Sequence, residues 1–227
     1  MKKNINSRRN FIKKSIVVPS IIILPRHVLG GKGYISPSDK LNIAGVGVRK
    51  WGMGAGNLSQ CATENIVALC DVDQKQAAPT YKKYPKAKVY KDFRIMLENQ
   101  KDIDAVIVAT PDHNHAVITM LAMNMGKHVY CQKPLTHTVY EARMITEAAK
   151  KYNVQTQMGN QGRSSDEIRS LKEWIDDDAI GKVREVFAWT DRPVGGHEWD
   201  TFAVKAMSKD KPPIPEGLDW DLWLGPA

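Results

Sequence analysis

The stretch Leu41-Asn42-Ile43-Ala44-Gly45-Val46-Gly47-Val48-Arg49-Lys50-Trp51-Gly52-Met53-Gly54-Ala55-Gly56 decides the fold. It opens on a short apolar run, typical of a buried strand, and passes through glycines into a helical pattern. Glycine in such a turn lets the backbone approach a pyrophosphate, which the free N–H groups of the helix N-terminus can bind. The spacing is irregular, because Lys50 stands where a third small residue is usual and Gly52 comes two places later. A plain glycine-rich turn is therefore the alternative that this stretch alone leaves open.

Apolar runs and helix-like patterns alternate along the sequence that follows. Buried strands are predicted at 41–46, 65–70, 105–109, 128–131 and 154–158. Helices are predicted between them, at 53–62, 74–84, 92–100, 115–125 and 139–152. Strands that alternate with helices of this size require right-handed crossovers and form a parallel sheet covered on both faces. We therefore predict an α/β fold, a Rossmann-type doubly wound parallel sheet, over residues 40–162.

The character of the sequence changes after residue 163. A helix is predicted at 165–177 and a longer strand at 183–190, followed by a Gly/Pro/Trp-rich stretch. The last ten residues, 218–227, contain three Leu and two Trp with nothing after them to pack on. We therefore expect 163–227 to be the truncated beginning of a second domain, with apolar surface left exposed.

The net charge of +8 is concentrated in the first 30 residues, which hold seven of the 33 basic residues and no acidic one. Arg8-Arg9 and then Phe11 precede an apolar run at 15–24, a pattern that resembles a twin-arginine export signal. We expect 1–30 to be this signal and 31–39 a linker. The protein would be exported by the twin-arginine machinery, and be periplasmic or membrane-associated through the signal segment. A basic N-terminal arm is the alternative, and cleavage stays open.

Composition excludes several classes of protein. A hydrophobic content of 42% with 26% charged residues excludes a disordered chain and a polytopic membrane protein. Three cysteines exclude a disulfide-built scaffold and lack the spacing of a zinc site, and His113 and His115 are too close in sequence to converge on one ion. We therefore expect no metal. Beyond the first 30 residues the chain is nearly neutral, so we expect no nucleic-acid partner.

Polar residues follow several predicted strands, at the edge where an open parallel sheet presents its ligand crevice. Asp71 ends the second strand, where a carboxylate can accept both hydrogen bonds from an adenosine ribose and repel a 2′-phosphate. NAD is therefore the expected cofactor. NADP stays an alternative because Arg49 or Lys50 could neutralise the phosphate, and an ordinary solvated acid is the alternative for Asp71.

Four motifs together resemble those of the glucose-fructose oxidoreductase / inositol dehydrogenase / rhizopine-catabolism (Gfo/Idh/MocA) family: the glycine turn, Cys70-Asp71-Val72-Asp73, Ala109-Thr110-Pro111-Asp112-His113-Asn114-His115 and Gln132-Lys133-Pro134. The resemblance covers about residues 40–227 and is greatest to the exported branch from sugar-degrading bacteria. It implies an NAD(P)-dependent oxidoreductase that moves a hydride between a sugar or cyclitol hydroxyl and the nicotinamide. It also implies that 163–227 begins an α+β substrate domain, incomplete here, and that the full-length form is a homo-oligomer.

The resemblance assigns roles to individual residues. Lys133 would lie near the nicotinamide and the substrate hydroxyl, where an ammonium can steady a developing oxyanion, and His115 would lie close to the cofactor. Both are predicted to be catalytic; a surface lysine and a packed or helix-capping histidine are the alternatives. Gln132 departs from the family's usual Glu and removes a charge beside the lysine. The predicted cofactor-binding residues are Gly45, Gly47, Val48, Gly52, Asp71, Thr110, Pro111, Asp112, His115, Gln132, Lys133, Asn160 and Gln161.

Two further readings stay open. Asp191 and Arg192 are candidates for the sugar pocket or for a structural ion pair, and His197 lacks the surroundings expected of the family's general-base histidine. Without that histidine, the chain would be a truncated, non-catalytic fragment that binds a dinucleotide, which is the first alternative. An exported NAD-dependent glycosidase of the same fold is the other alternative. Lys133 disfavours it, because that branch typically replaces the lysine motif with Val-Pro.

Overall fold

The computed structural model describes residues 35–189 and 213–227. The predicted signal at 1–30 and the candidates Asp191, Arg192 and His197 lie outside the described residues. The chain divides into two units, 1–40 and 41–227. In the first unit, Pro37–Asp39 form one turn of 3₁₀ helix. All further description concerns the second unit, and the boundary expected near residue 162 stays a prediction.

A single six-stranded sheet organises the second unit. Its strands run in the order β3-β2-β1-β4-β5-β6, and every neighbouring pair is parallel. This is the order of the doubly wound dinucleotide-binding fold, so the predicted fold class is confirmed. The strands are β1 Asn42–Val46, β2 Asn65–Cys70, β3 Lys88–Tyr90, β4 Ala105–Val108, β5 His128–Gln132 and β6 Thr156–Gly159.

Helices cover both faces of the sheet. Because strand side chains alternate between faces, Ile43 of β1 packs with one set of helices and Ala44 with the other. One apolar cluster contains residues of α1 and α2, and the other contains residues of α3, α4 and α5. The helices are α1 Met53–Gln60, α2 Gln74–Lys83, α3 Phe93–Asn99, α4 His115–Asn124, α5 Val139–Tyr152, α6 Asp166–Asp176 and α7 Trp220–Leu224.

Three strand predictions differ from the structure. β3 was missed, because it has only three residues and two of them are exposed. The last strand begins at Thr156 rather than at residue 154, since Val154 packs in the core beyond the end of α5. The strand expected at 183–190 is wrong for its described part, 183–189, where Phe187 is 78% exposed and the backbone is irregular. A strand needs a neighbour for its backbone groups, and the described residues provide none.

Residues 213–227, called here the tryptophan segment, do not stand free as the sequence led us to expect. Leu218 forms an antiparallel bridge with Asp73, just beyond the end of β2. Leu222, Trp223 and Leu224 are half-buried against the body of the unit. The apolar surface expected at this end is therefore only partly left exposed: the carboxyl edge of the sheet covers part of the segment, while Ile214 and Trp220 remain 54% and 39% exposed.

Candidate dinucleotide-binding site

The turn between β1 and α1 lies directly against the end of β4. Gly47 has a φ of +80°, and a Cβ there would stand 2.5 Å from the carbonyl oxygen of Ala109. On the other side, a Cβ on Gly54 of α1 would stand 2.1 Å from the carbonyl oxygen of Gly47. Only hydrogen fits at either position, so strand, turn and helix meet backbone to backbone. Sequence reasoning chose Gly52 and missed Gly54, whose signal was its place as the next glycine beyond a lengthened loop.

The irregular spacing noted in the sequence is accommodated by an outward loop. Trp51 takes a left-handed conformation with φ of 61° and is 89% exposed, and Gly52 then caps the N-terminus of α1. Gly45 lies beneath the turn, where a Cβ would come within 2.8 Å of Val48 Cγ1. Of the predicted turn residues, Gly45 and Gly52 therefore shape the turn, and Gly47 faces the crevice.

Asp71 is fixed to this turn by its carboxylate. Oδ2 accepts a hydrogen bond from the backbone N–H of Val48 (2.7 Å), and Oδ1 accepts one from the N–H of Asp73 (2.9 Å). The side chain is only 7% exposed, and burial raises the pKa of this carboxyl although both backbone N–H groups act to lower it. A carboxylate oxygen has more than one lone pair, so each retains capacity for a ribose hydroxyl.

A crevice of about 460 Å³ opens at the carboxyl ends of β1, β2 and β4. Four of the predicted cofactor residues line it: Gly47, Asp71, Thr110 and Pro111. The hydroxyl oxygen of Thr110 is buried and has no hydrogen-bond partner within the part of the chain that the structure describes. Buried polar atoms are normally paired, so this hydroxyl suits a polar ligand atom. Arg49 also lines the crevice, where the NADP alternative requires a cation to neutralise the 2′-phosphate.

The tryptophan segment forms the outer wall of the crevice. The backbone N–H of Asp219 donates to the carbonyl oxygen of Val72 (2.9 Å), and its carboxylate lies 3.0 Å from the ammonium of Lys91. These contacts tie the segment to the loops that follow β2 and β3. Its side chains that line the crevice are Leu218, Trp220, Leu222 and Trp223.

A second attachment comes from the turn after β4. Nε2 of His113 and Nδ2 of Asn114 both lie 2.9 Å from the carbonyl oxygen of Trp223, which accepts from each. The rings of Trp220 and Trp223 stack with centroids 5.1 Å apart. Sequence reasoning missed this wall. The available signal was the pairing of a tryptophan-rich stretch with two polar residues, His113 and Asn114, that had no assigned partner.

Gln132 and Lys133 lie where β5 ends, on the strand next to β4. Gln132 is 4% exposed; its Nε2 donates to Asn57 Oδ1 of α1 (2.6 Å), and its Oε1 has no partner among the described residues. Lys133 is exposed, and within the described ranges its ammonium makes no hydrogen bond or ion pair. Neither residue lines the crevice itself, so the structure places them beside it at the same edge of the sheet.

The remaining predicted residues divide between two places. Asn160 and Gln161 follow β6 and line a separate cavity of about 850 Å³. Asp112 is exposed at the start of the 3₁₀ turn after β4. His115 is 1% exposed and has both ring nitrogens against backbone carbonyl oxygens, a placement that does not support the predicted catalytic role.

The residues present fit a dinucleotide. The glycines at 47 and 54 leave room for a close approach to the backbone, and α1 begins directly after this turn. Asp71 offers acceptor capacity, and the Thr110 hydroxyl has no partner among the residues that the structure describes. Across residues 35–189 and 213–227, no three His, Cys, Asp or Glu side chains gather as metal ligands would. No helix in those same ranges has the length and apolarity of a membrane span.

Solved structures and curated sequences resemble this chain. Inositol 2-dehydrogenase of Salmonella typhimurium is 31% identical over 149 residues, which is 63% of this chain and 43% of that protein. D-glucoside 3-dehydrogenase of Escherichia coli is 29% identical over 67% of this chain and 43% of its own length. Scyllo-inositol dehydrogenase of Lactobacillus casei, solved with NAD(H) and scyllo-inositol, aligns with a TM-score of 0.57 at 26% identity, over 63% of this chain and 43% of that one.

The chain spans less than half the length of these relatives. The model of the oxidoreductase family with the NAD-binding Rossmann fold matches residues 41–160, more than half of the chain. Strand order, glycine turn and acid at the end of β2 agree with that match. The chain therefore belongs to the Gfo/Idh/MocA oxidoreductase family, through its NAD-binding Rossmann fold.

Proposed function

We propose that the protein is an NAD-dependent oxidoreductase that transfers a hydride between a sugar or cyclitol hydroxyl and the nicotinamide, and that residues 41–160 bind the cofactor. The observation that supports this most is the arrangement at one sheet edge: the crevice with Gly47, Asp71 and Thr110, and the exposed Lys133 directly after the end of β5. The substrate class follows the relatives, whose names are those of inositol and glucoside dehydrogenases.

Each part of the arrangement has a physical task. When bound, the nicotinamide accepts or supplies the hydride. The glycine turn and the N-terminus of α1 attract the pyrophosphate, because free N–H groups and the helix dipole favour negative charge. Asp71 accepts the ribose hydroxyls and opposes a 2′-phosphate, which favours NAD over NADP. Lys133 donates to the substrate oxygen and steadies the negative charge that develops when its proton leaves.

Lys133→Gln tests this assignment. The variant keeps a hydrogen-bond donor and removes the charge, so we expect the rate of NAD reduction to fall about 100-fold, the scale of losing one oxyanion donor. NAD affinity measured by calorimetry should change little, since Lys133 does not line the crevice. Lys86→Gln is the matched control, because Lys86 is also exposed but precedes β3 at the opposite edge.

The assay offers myo-inositol, scyllo-inositol and alkyl glucosides to the purified protein and follows NADH formation. Equal rates for Lys133→Gln and Lys86→Gln would contradict the role of Lys133. NAD binding with no reduction on any of these substrates would favour the alternative of a non-catalytic dinucleotide-binding chain.

We also propose that the protein is exported through the twin-arginine machinery and that it forms a homo-oligomer. Arg8-Arg9 before an apolar run supports the first proposal. The apolar face of α6 supports the second, since Ile168, Leu171 and Trp174 are exposed in the described part of the chain.

Export predicts that Arg8→Lys with Arg9→Lys, which conserves charge, leaves the protein in the cytoplasmic fraction. Lys13→Arg with Lys14→Arg is the control, and equal fractionation of both pairs would contradict export.

A further inference from the structure

His115 is a buried histidine whose imidazole joins two loops. Its Nδ1 lies 2.6 Å from the carbonyl oxygen of Pro134, and its Nε2 lies 2.9 Å from that of Thr110. A carbonyl oxygen only accepts, so each contact is a hydrogen bond when the ring nitrogen bears a proton. A neutral ring carries one proton, and the tautomer with that proton on Nδ1 donates to Pro134 at the shorter of the two distances. With 1% of its surface exposed, the ring has no free nitrogen to exchange protons with a substrate.

The two loops are those on which the proposed function depends. Thr110 lines the crevice just beyond β4, and Pro134 directly follows Lys133 at the end of β5. The strands are neighbours in register, with Val108 opposite Cys131, so both loops leave the same edge. The imidazole therefore bridges the loop that faces the cofactor and the loop that bears the lysine.

The backbone of Lys133 is held on both sides, whereas its ammonium makes no hydrogen bond or ion pair with any residue that the structure describes. The residue before it, Gln132, is anchored to α1 by the 2.6 Å hydrogen bond that its side-chain Nε2 donates to Asn57 Oδ1. The residue after it, Pro134, is anchored through its carbonyl oxygen to His115. The Cys131 thiol further closes the loop by donating to the carbonyl oxygen of Leu135 at 3.7 Å. A long, flexible side chain is aimed most accurately when its backbone is fixed in this way.

We propose that His115 is a positioning residue that fixes the backbone of Lys133 by clamping the β5 loop to the crevice-lining β4 loop. This inference rests on the proposed role of Lys133, but the clamp itself is a property of the folded chain that can be measured without substrate. It gives this histidine a structural task in place of the catalytic role that the resemblance implied. It also explains why the residue is packed rather than open to the crevice.

Two variants separate the clamp from simple packing. His115→Phe keeps an aromatic ring and removes the Nδ1 donor, so the β5 loop should lose its anchor. His115→Asn places an amide N–H near the position of Nδ1 and should restore the bond to Pro134. His137→Phe is the matched control, because His137 is exposed and, within the described ranges, its side chain makes no hydrogen bond.

The readouts are hydrogen exchange of the peptide that spans 131–138 and the ¹³C NMR signal of dimethylated Lys133, assigned with Lys133→Arg. His115→Phe should speed exchange of that peptide about tenfold, the equivalent of one lost hydrogen bond, and shift or broaden the Lys133 signal. His115→Asn should restore both towards the wild type, and His137→Phe should leave both unchanged. NAD titration of the same samples tests the proposed function separately.

Unchanged exchange and an unchanged Lys133 signal in His115→Phe would overturn the proposal. If that variant does not fold, His115→Asn is compared with His115→Gln, whose amide reaches the Nε2 position instead. The proposal requires the Asn variant to hold the β5 loop better than the Gln variant; equal exchange in the two would overturn it.

Discussion

Gly54→Ala should lower the free energy of unfolding by about 3 kcal/mol, because the added methyl cannot be accommodated by a side-chain shift. A Cβ at this position would lie 2.1 Å from the carbonyl oxygen of Gly47 and 3.2 Å from Ala109 Cβ. The first of these neighbours is backbone of the glycine turn, which is itself pressed against the end of β4. The helix α1 must therefore move away from the sheet or the turn must be displaced.

Displacement of the turn should also weaken NAD binding, by at least about tenfold, since the pyrophosphate depends on close backbone approach. Gly56→Ala is the matched control in the same helix. No atom lies within 4 Å of a Cβ there, so it should stabilise the protein by up to about 1 kcal/mol through helix propensity. Denaturant unfolding and calorimetric NAD titration measure both effects. Equal stability of the two variants would contradict the packing described for the turn.

Asp71→Ala is expected to damage both the fold and the cofactor site. It leaves the N–H groups of Val48 and Asp73 without the acceptors they now have at 2.7 and 2.9 Å. The cost of losing two bonds to a charged group, offset by relief of a buried charge, is about 2–3 kcal/mol of unfolding free energy. NAD affinity should fall about tenfold to a hundredfold, because the ribose hydroxyls lose their acceptor. If calorimetry shows an unchanged NAD affinity, Asp71 does not bind the cofactor.

A second test of Asp71 compares the pH dependence of stability in the wild type with that in Asp71→Asn, which cannot ionise at this position. Burial raises the pKa of Asp71 in the folded state, so the folded chain holds this proton more tightly than the unfolded chain does. The cost of burying the charged carboxylate is fully present above the pKa that Asp71 has in the folded state. It is absent below the pKa that Asp71 has in the unfolded state. Relative to Asp71→Asn, the wild type should therefore gain stability as pH is lowered through that window, while its NAD affinity declines. A stability difference that does not vary with pH would contradict this.

The sequence predicted the fold well because the strongest signals are local. Apolar runs of strand length alternate with helices, and five of the six strands were found from them. β3 was missed because it has only three residues, two of them exposed, and therefore shows almost no hydrophobic pattern. The strand expected at 183–190 failed in its described part for the opposite reason: the pattern is present, but a strand also needs a partner that the described residues lack.

The candidate site was predictable where residue type determines chemistry and less so where packing does. Asp71 could be assigned from its place after a strand. The sequence alone could not show that Gly54, rather than Gly52, packs against the turn. That choice depends on the outward loop at Trp51, which only the three-dimensional structure shows. His115 was predicted to be catalytic, and the alternative of a packed histidine fits the structure better, since only coordinates show its two ring nitrogens against backbone carbonyl oxygens. The wall formed by Trp220 and Trp223 depends on contacts more than 100 residues apart in sequence.

The central claim is that the crevice between the glycine turn and the tryptophan segment binds NAD(H). Tryptophan emission overlaps NADH absorption, and Trp223 lines the crevice. Titration with NADH should therefore give saturable energy transfer that excess NAD abolishes. Trp223→Phe should reduce this transfer more than Trp174→Phe, which removes a tryptophan that is 60% exposed on α6 and does not line the crevice. Absence of saturable transfer in the folded wild type, or an equal loss in the two variants, would contradict the claim.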